Sequence, residues 1–189
     1  MSGATNGGDF LYILRTDGAE DLLKVGITNN PLVRWSSFHS RWFEVFDLGH
    51  TILVEAERRS DAQALETTLH RRLKAHGCPI PMTMRLEAGG ETEWYRGANL
   101  SVSEFVAECQ AGGYTVHEDA RRWLVPVMHA QRDALDTVLR HAHLLHCEGL
   151  LSSQQRERLQ ALLDANRSFD PAVKDCIPVD QCLDMGLRC

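Results

Sequence analysis

The feature that most constrains the fold is a pair of short apolar segments separated by a turn signal. Residues 10–15 and residues 22–28 are each long enough for one strand. The stretch between them contains Asp17-Gly18, a dipeptide that favours tight turns. Two apolar segments joined in this way pair as neighbouring antiparallel strands, so the sequence predicts that the fold begins with a β-hairpin.

Helices and further strands are predicted after the hairpin. Asn30 suits the N-cap of a helix and Pro31 suits its first turn. A third strand is predicted within residues 44–56, a short edge strand or strap at residues 93–96, and a small helix over residues 102–111. The order of elements predicts an α+β fold, with a small three-stranded antiparallel sheet flanked by helices.

The helix predicted over residues 61–76 holds the strongest physical clue to chemistry. Ser60 with Gln63 forms a capping-box pattern at its start. Glu66 lies at the edge of the apolar stripe of this helix, and His70 follows one turn later. A carboxylate beside a core-facing stripe is costly unless it is paired or binds a metal. Taken alone, this helix favours a structural salt bridge over a metal site, because structural ion pairs are common.

The predicted domain organisation has four parts. Residues 1–8 are small and polar and lack the basic start and apolar core of a secretory signal, so we expect a disordered lead-in. The α+β domain is expected at residues 9–113, a helical hairpin at 114–169, and a cysteine-containing tail at 170–189. An apolar seam with spacings of three and four indicates one long helix in the hairpin. That seam consists of Met128, Gln131, Leu135, Val138, Ala142 and Leu145.

Composition limits the classes of function and the environment. The net charge of −6 argues against broad, non-specific adhesion to nucleic acid, although it leaves room for a local basic patch. No apolar run approaches the roughly 20 residues that cross a bilayer. The six cysteines form no CxxC pair, and without a signal peptide we expect reduced thiols and a cytoplasmic protein.

Several short blocks together resemble the GIY-YIG nuclease superfamily, and its compact phage-type and meiotically-upregulated-gene branch in particular. The blocks are Phe10-Leu11-Tyr12, Lys24-Val25-Gly26-Ile27-Thr28, Arg34, Leu65-Glu66-Thr67-Thr68-Leu69-His70 and Glu93-Trp94-Tyr95. The resemblance covers roughly residues 9–100. The chain departs from the family where Lys24 replaces a frequent tyrosine and where Phe38, followed by His39, replaces a frequent histidine.

The resemblance implies single-metal hydrolysis of a phosphodiester bond. Glu66 would hold Mg²⁺ or Mn²⁺, and Arg34 would clamp a phosphate oxygen in the transition state. Tyr12 would orient or deprotonate the attacking water. A tyrosine with a pKa near 10 is a poor base at neutral pH unless Lys24 or Arg34 lowers that pKa. Lys24 would take over part of the role of the missing tyrosine.

The remaining site candidates are weaker when taken singly. His39 and His70 are the alternatives for proton transfer. The predicted substrate-binding residues are Gly26, Thr28, Trp35, Arg71, Lys74 and Trp94. For Gly26 the alternative is a β-bulge. Core packing is the more frequent role for a tryptophan such as Trp35, and Arg71 and Lys74 are as consistent with an ordinary solvated helix face.

A second metal site is conceivable on the predicted long helix. His143 and Cys147 lie one turn apart and could form half of a zinc site. The nearby polar residues are His141 and His146, and the cysteines that could complete the site are Cys176, Cys182 and Cys189. The spacings of these cysteines match no standard zinc finger, which favours a polar helix face and buried thiols.

Three hypotheses of function follow. The first is a metal-dependent endonuclease that acts on DNA, with RNA not excluded and with a phage or mobile-element setting typical of the resemblance. A homodimer through residues 115–167 would supply the second site that a double-strand break needs. The second hypothesis is a non-catalytic nucleic-acid- or protein-binding module that retains the fold. The third is an interaction protein that acts through residues 115–170.

Overall fold

The computed structural model describes residues 8–18, 21–82, 84 and 92–189. The chain divides into two compact units, Met1–Ala120 and Arg121–Cys189. The division falls a few residues later than the predicted end of the α+β domain at residue 113. The predicted lead-in lies outside the described residues, apart from Gly8. Within the described residues, the helices are all too short or too polar to cross a membrane.

The first unit has an α+β fold, as predicted. Its elements are β1 (Asp9–Arg15), β2 (Leu22–Thr28), α1 (Pro31–Phe38), α2 (Trp42–Val45), β3 (Ile52–Ala56), α3 (Arg59–Leu73), a 3₁₀ turn (Lys74–His76), β4 (Trp94–Arg96), α4 (Asn99–Ala111) and β5 (Val116–His117). The hairpin of β1 and β2 is confirmed, with Tyr12 directly opposite Gly26. The third strand predicted within residues 44–56 is confirmed as β3, although the first residues of that range belong to α2, which ends at Val45.

The sheet has five antiparallel strands in the order β4-β2-β1-β3-β5, so the prediction of three strands is wrong. The two additional strands are the shortest and lie at the two edges. β4 pairs with β2, and the sequence indicated it as an edge strand without assigning it to this sheet. β5 contains two residues and pairs with β3, which is too short for a sequence pattern to reveal.

Two helix N-caps were predicted from the sequence, and the structure confirms one of them. Asn30 caps α1, because its side-chain oxygen accepts a hydrogen bond from the backbone N–H of Val33 at 3.2 Å. The capping box predicted from Ser60 and Gln63 is wrong. Helix α3 begins one residue before Ser60, with Arg58 at the N-cap position and with no side-chain cap among the described residues. Packing of its apolar face therefore has to hold this end of α3.

The two faces of the sheet bury different kinds of side chain. Neighbouring residues of a strand point to opposite faces, so Leu11 and Tyr12 separate. Leu11 belongs to a mainly aliphatic cluster, which also contains Tyr95 and Phe105, formed by the strands with α3 and α4. Tyr12 instead contacts Trp35 and Phe38 of α1, with ring centroids 6.4 Å and 6.5 Å away. One face is therefore a hydrocarbon core, and the other is built around aromatic rings.

The second unit is helical. Its elements are α5 (Ala120–Ala130, whose first residue closes the first unit), α6 (Arg132–Cys147), α7 (Ser153–Phe169), a 3₁₀ helix (Pro171–Cys176) and α8 (Val179–Asp184). The prediction of a single long helix before residue 148 is wrong, because the helix is interrupted at Gln131. The predicted seam is correct in part. Met128, Leu135 and Ala142 are buried, but Val138 is 44% exposed, and Leu139, outside the seam, is fully buried.

The segment 170–189, predicted as a tail with little periodicity, is folded. Ser152 caps α7 in a capping box with Gln155. The 3₁₀ helix and α8 pack against the rest of this unit. Val173 and Met185 lie in one apolar cluster with Leu139. Short helices hold too few residues to show a period, so the sequence pattern could not reveal them.

Candidate functional site

Tyr12 lies at the centre of the aromatic face, beneath the guanidinium of Arg34. Its side chain is fully buried, and Arg34 Nε donates a hydrogen bond to its hydroxyl at 3.4 Å. The ring lies across Gly26. A Cβ atom at Gly26 would stand 2.6 Å from Tyr12 Cζ and still closer to the hydroxyl oxygen. The missing side chain at Gly26 is therefore needed to admit the tyrosine ring, which accounts for this glycine without a β-bulge.

The ionisation of Tyr12 differs from what the sequence suggested. Burial raises the pKa of Tyr12 to about 12, and the nearby Arg34 offsets only part of that rise. The expectation that Lys24 or Arg34 could lower the pKa of Tyr12 below 10 is therefore wrong, because desolvation outweighs attraction to the cation. At neutral pH Tyr12 is a neutral phenol that can donate a hydrogen bond.

Lys24 is a fully buried lysine held by one carboxylate and two aromatic rings. Its Nζ donates to Glu93 Oε2 at 2.9 Å. The same atom lies 5.2 Å from the ring centroid of Phe38 and 5.5 Å from that of Trp94. Burial lowers the pKa of Lys24, and the hydrogen bond that Lys24 donates to Glu93 opposes that fall. Burying a lysine beside a carboxylate that is only partly buried is costly, so the presence of Lys24 asks for a reason other than stability.

Arg34 is placed on α1 so that its guanidinium covers the ring of Phe38. The Arg34 Cζ atom is 4.6 Å from that ring centroid. Phe38 follows Arg34 by four residues, one helical turn, which brings the two side chains together on one face of α1. The half-buried guanidinium is therefore held flat above Phe38, while Tyr12 fixes its Nε side.

Glu66, His70 and Glu93 form a group that could hold a metal ion. Each offers one ligand atom, and these atoms lie within 4.8 Å of one another. His70 Nε2 lies 3.8 Å from Glu66 Oε1, and His70 Nδ1 shares a hydrogen bond of 2.6 Å with the hydroxyl of Tyr95. Two carboxylates and an imidazole suit a hard or borderline divalent cation.

Glu93 joins the two halves of this arrangement. Its carboxylate binds Lys24 on the aromatic side and lies beside Glu66 and His70 on the other. Its side chain is 31% exposed, so solvent reaches it. Buried Lys24 and partly exposed Glu66 thereby meet at one carboxylate, which makes a compact cluster of opposite charges.

The predicted substrate-binding residues differ in their exposure to solvent. Trp35 and Trp94 are fully buried, so neither ring presents an open face to a base, and both act here as packing residues. The Thr28 hydroxyl donates to the carbonyl oxygen of Asn30 and accepts from its N–H, which fixes the turn into α1. Arg71 and Lys74 are exposed on α3 and the turn after it.

His39 is engaged locally at the end of α1. Its Nδ1 accepts a hydrogen bond from the backbone N–H of Arg41 at 3.1 Å. The cluster just described is formed without it, whereas His70 lies within the cluster.

Two residues of the cluster were missed as site residues from sequence, although the strap that contains them was noted. Glu93 and Tyr95 sit on either side of the buried Trp94. The signal that could have found Glu93 is Lys24, a lysine flanked by Leu23 and Val25 in an otherwise apolar strand. A lysine in that setting needs a buried or half-buried partner.

Comparison with protein families identifies one match. The family model described as T5orf172 domain matches residues 9–110, somewhat more than half of the chain. The matched segment contains every residue of the cluster, from Tyr12 to Tyr95. No curated protein and no solved structure matches the chain significantly.

Proposed function

The chain belongs to the T5orf172 domain family, a phage-associated member of the GIY-YIG-like and HNH-type endonuclease group, and from this membership and the site geometry we propose that it is a metal-dependent endonuclease. The reaction proposed is hydrolysis of DNA phosphodiester bonds by a single-metal, GIY-YIG-type mechanism. The observation that carries the proposal is the convergence of Glu66, His70 and Glu93 in one group. Lys24 and Arg34 add two cations to the same region.

Glu66 and Glu93 are the residues that would hold Mg²⁺ or Mn²⁺. Their carboxylate oxygens are the ligands these ions prefer, and few protein ligands are needed because Mg²⁺ keeps several waters. When bound, the ion would neutralise charge on the scissile phosphate and make its leaving oxygen a better leaving group. Lys24 holds the Glu93 carboxylate in place through the 2.9 Å contact.

Arg34 and Tyr12 would bind and orient the phosphate. A guanidinium held against a ring loses little freedom when it clamps a phosphate oxygen, and its charge counts most where water is excluded. Tyr12 keeps its proton at neutral pH, since its pKa is about 12. Its role is therefore to donate a hydrogen bond to the attacking water or to a phosphate oxygen, rather than to remove a proton.

His70 is the proton acceptor that fits the site best. Its ring is held by Tyr95 through Nδ1, and Nε2 faces Glu66. An imidazole is the side chain that most often accepts a proton in general base catalysis. The attacking water would give its proton to this nitrogen as it adds to phosphorus.

Nicking of supercoiled plasmid DNA tests this proposal. The full-length protein is expected to convert the plasmid to the open circle with Mg²⁺ or Mn²⁺ and to be inactive in EDTA. Glu66→Ala is expected to abolish nicking. Glu104→Ala, which changes an exposed glutamate on α4, is the matched control and is expected to cleave like the wild type. A wild type that is inert with both metals on every form of DNA would overturn the proposal.

A second function has one observation in its favour. Tyr12 and Lys24 are fully buried, as they would be in a module that keeps the fold without cleaving. Such a module would bind DNA with the same affinity whether or not Mg²⁺ is present. Binding to a labelled duplex without nicking in either metal would support this alternative and exclude the enzyme.

Self-association through residues 115–167, most of which belong to the second unit, stays a proposal. It rests on chemistry, since one site cuts one strand and a double-strand break needs two sites or two events. Light scattering of the full-length protein across a range of concentrations tests it directly, and a monomer throughout that range would contradict it.

A further inference from the structure

We propose that the second unit carries a Zn²⁺-binding site formed by His143 and Cys147 of α6 and Asp184 of α8, with His146 as the fourth ligand. The site is separate from the cluster at Glu66 and does not depend on the proposed nuclease activity. It differs from the zinc site that the sequence suggested, because a carboxylate takes the place of the additional cysteines.

The geometry of the three principal ligands is close to that of a bound ion. His143 Nε2 lies 2.9 Å from Asp184 Oδ2 and 3.8 Å from Cys147 Sγ. One ligand atom from each of the three residues lies within 4.8 Å of the others. Tetrahedral zinc, with bonds of about 2.0–2.3 Å, separates its ligand atoms by roughly 3.3–3.6 Å. Shifts of less than about 1 Å in side-chain position would therefore complete the coordination.

His146 is the nearest further nitrogen. Its Nε2 lies 3.9 Å from the same oxygen of Asp184, and its ring centroid is 6.4 Å from that of His143. Both histidines and Cys147 occupy α6 at spacings of three and four residues, so all three project from one side of that helix. His146 is therefore the residue best placed to supply a fourth ligand.

The residues proposed from sequence to complete a zinc site are excluded by their positions. His141 is exposed and falls on a different side of α6. Cys182 is fully buried in the core cluster of this unit, and Cys189 packs against that cluster. Burial raises the pKa of Cys182 to about 12, with Cys189 close by. Neither thiol is placed to meet His143.

The donor set selects the class of metal. A thiolate and an imidazole favour Zn²⁺ over Mg²⁺ or Ca²⁺, which prefer oxygen. The thiolate of Cys147 and the carboxylate of Asp184 together carry two negative charges and would balance a divalent ion. Both side chains are exposed, so the ion can enter from solvent without unfolding the unit.

A bound ion would tie α8 to α6. His143 and Asp184 are 41 residues apart in sequence, and α8 is only six residues long. Metal ligation across such a separation fixes the C-terminal segment in its folded position and adds the binding free energy to folding.

Cobalt substitution of the full-length protein tests the site, because Co²⁺ takes the ligands of Zn²⁺ and reports a bound thiolate by an intense near-ultraviolet charge-transfer band. One equivalent of Co²⁺ is expected to give this band, and Zn²⁺ to displace it. Cys147→Ser is expected to remove the band entirely. Asp184→Asn and His143→Ala are expected to weaken Zn²⁺ binding at least tenfold, and His146→Ala by less.

Two controls separate this site from other thiols and from the first unit. Cys176→Ser changes another exposed cysteine of the second unit and is expected to leave the band unchanged. Glu66→Gln removes a ligand of the other cluster and is also expected to leave it unchanged. A missing band, or a band that survives Cys147→Ser, would overturn the site and reduce the group to a surface His143–Asp184 ion pair. Neither result bears on plasmid nicking.

Discussion

The two faces of the sheet in the first unit differ in the kind of side chain that they bury. The face beneath α3 and α4 buries an aliphatic cluster with members such as Leu11, Leu69 and Val102. The face beneath α1 buries Tyr12 and Lys24, whose polar ends lie among aromatic rings. The first face consists almost entirely of apolar side chains, whereas the second also contains buried polar groups.

We infer from this difference that the polar residues of the aromatic face, joined through Glu93 to Glu66 and His70 of α3, form the functional site. A buried ion pair is often no more stabilising than well-packed apolar residues of the same volume. Lys24 and Glu93 are therefore not explained by stability. They are explained if the charges are needed in place before a phosphate and a metal ion arrive, because preorganised charges need no rearrangement during the reaction.

Replacing Phe105 with alanine should cause the largest loss of stability. Phe105 of α4 is almost fully buried in the aliphatic cluster, and removing a buried aromatic ring costs about 3–5 kcal/mol. Urea unfolding measures this loss. Leu100→Ala, an exposed position on the same helix, should change stability by less than about 0.5 kcal/mol. Equal losses at the two positions would contradict the aliphatic core assigned here.

The stability contributed by Tyr12 should depend on pH in the alkaline range. The folded pKa of about 12 exceeds the unfolded value of 10, so the folded state keeps the proton more tightly. That contribution is complete below pH 10 and is lost as the pH rises towards 12, by up to about 2–3 kcal/mol. The unfolding free energy of the wild type should therefore fall towards that of Tyr12→Phe across this window. Parallel curves for the two proteins would show that the phenol is not buried as described.

Gly26→Ala should destabilise the first unit by about 1–3 kcal/mol, the usual cost of overpacking. The added Cβ would stand 2.6 Å from Tyr12 Cζ, and the ring has little room to move because Trp35 and Phe38 contact it. Denaturant unfolding should show most of the loss recovered when Tyr12→Leu is combined with Gly26→Ala. Gly49→Ala is the control, since a Cβ there meets only an ordinary contact at 3.6 Å. Additive effects of the two changes would refute the direct clash.

The sequence predicts the central hairpin of the sheet but misses the strands at its two edges. The β1–β2 hairpin and the Asn30 cap were accessible because each depends on residues close together in the chain. The edge strands β4 and β5 hold three and two residues, too few to show alternation, and they exist because the existing sheet offers them hydrogen bonds. The break at Gln131 was missed because an apolar spacing continues on both sides of it.

From the sequence, site residues could be predicted only where they lie close together in the chain or match a motif of the family. Glu66 and His70 lie one turn apart on a helix, so their proximity follows from sequence alone. Glu93 follows Lys24 by 69 residues, and only the folded sheet shows that they meet. The pKa of Tyr12 is raised because several elements bury the side chain together. No local sequence pattern could have shown that this pKa rises rather than falls.

The central claim, that the charged cluster serves chemistry rather than stability, is tested most directly by Glu66→Gln. The same preparation should be assayed for plasmid nicking with Mg²⁺ and for its free energy of unfolding. Glu66 is 18% exposed and lies beside Glu93, so removing its charge is expected to leave stability unchanged or slightly higher. We expect nicking to be lost in this fully folded protein. Retained nicking, or a loss of stability as large as that of Phe105→Ala, would contradict the claim.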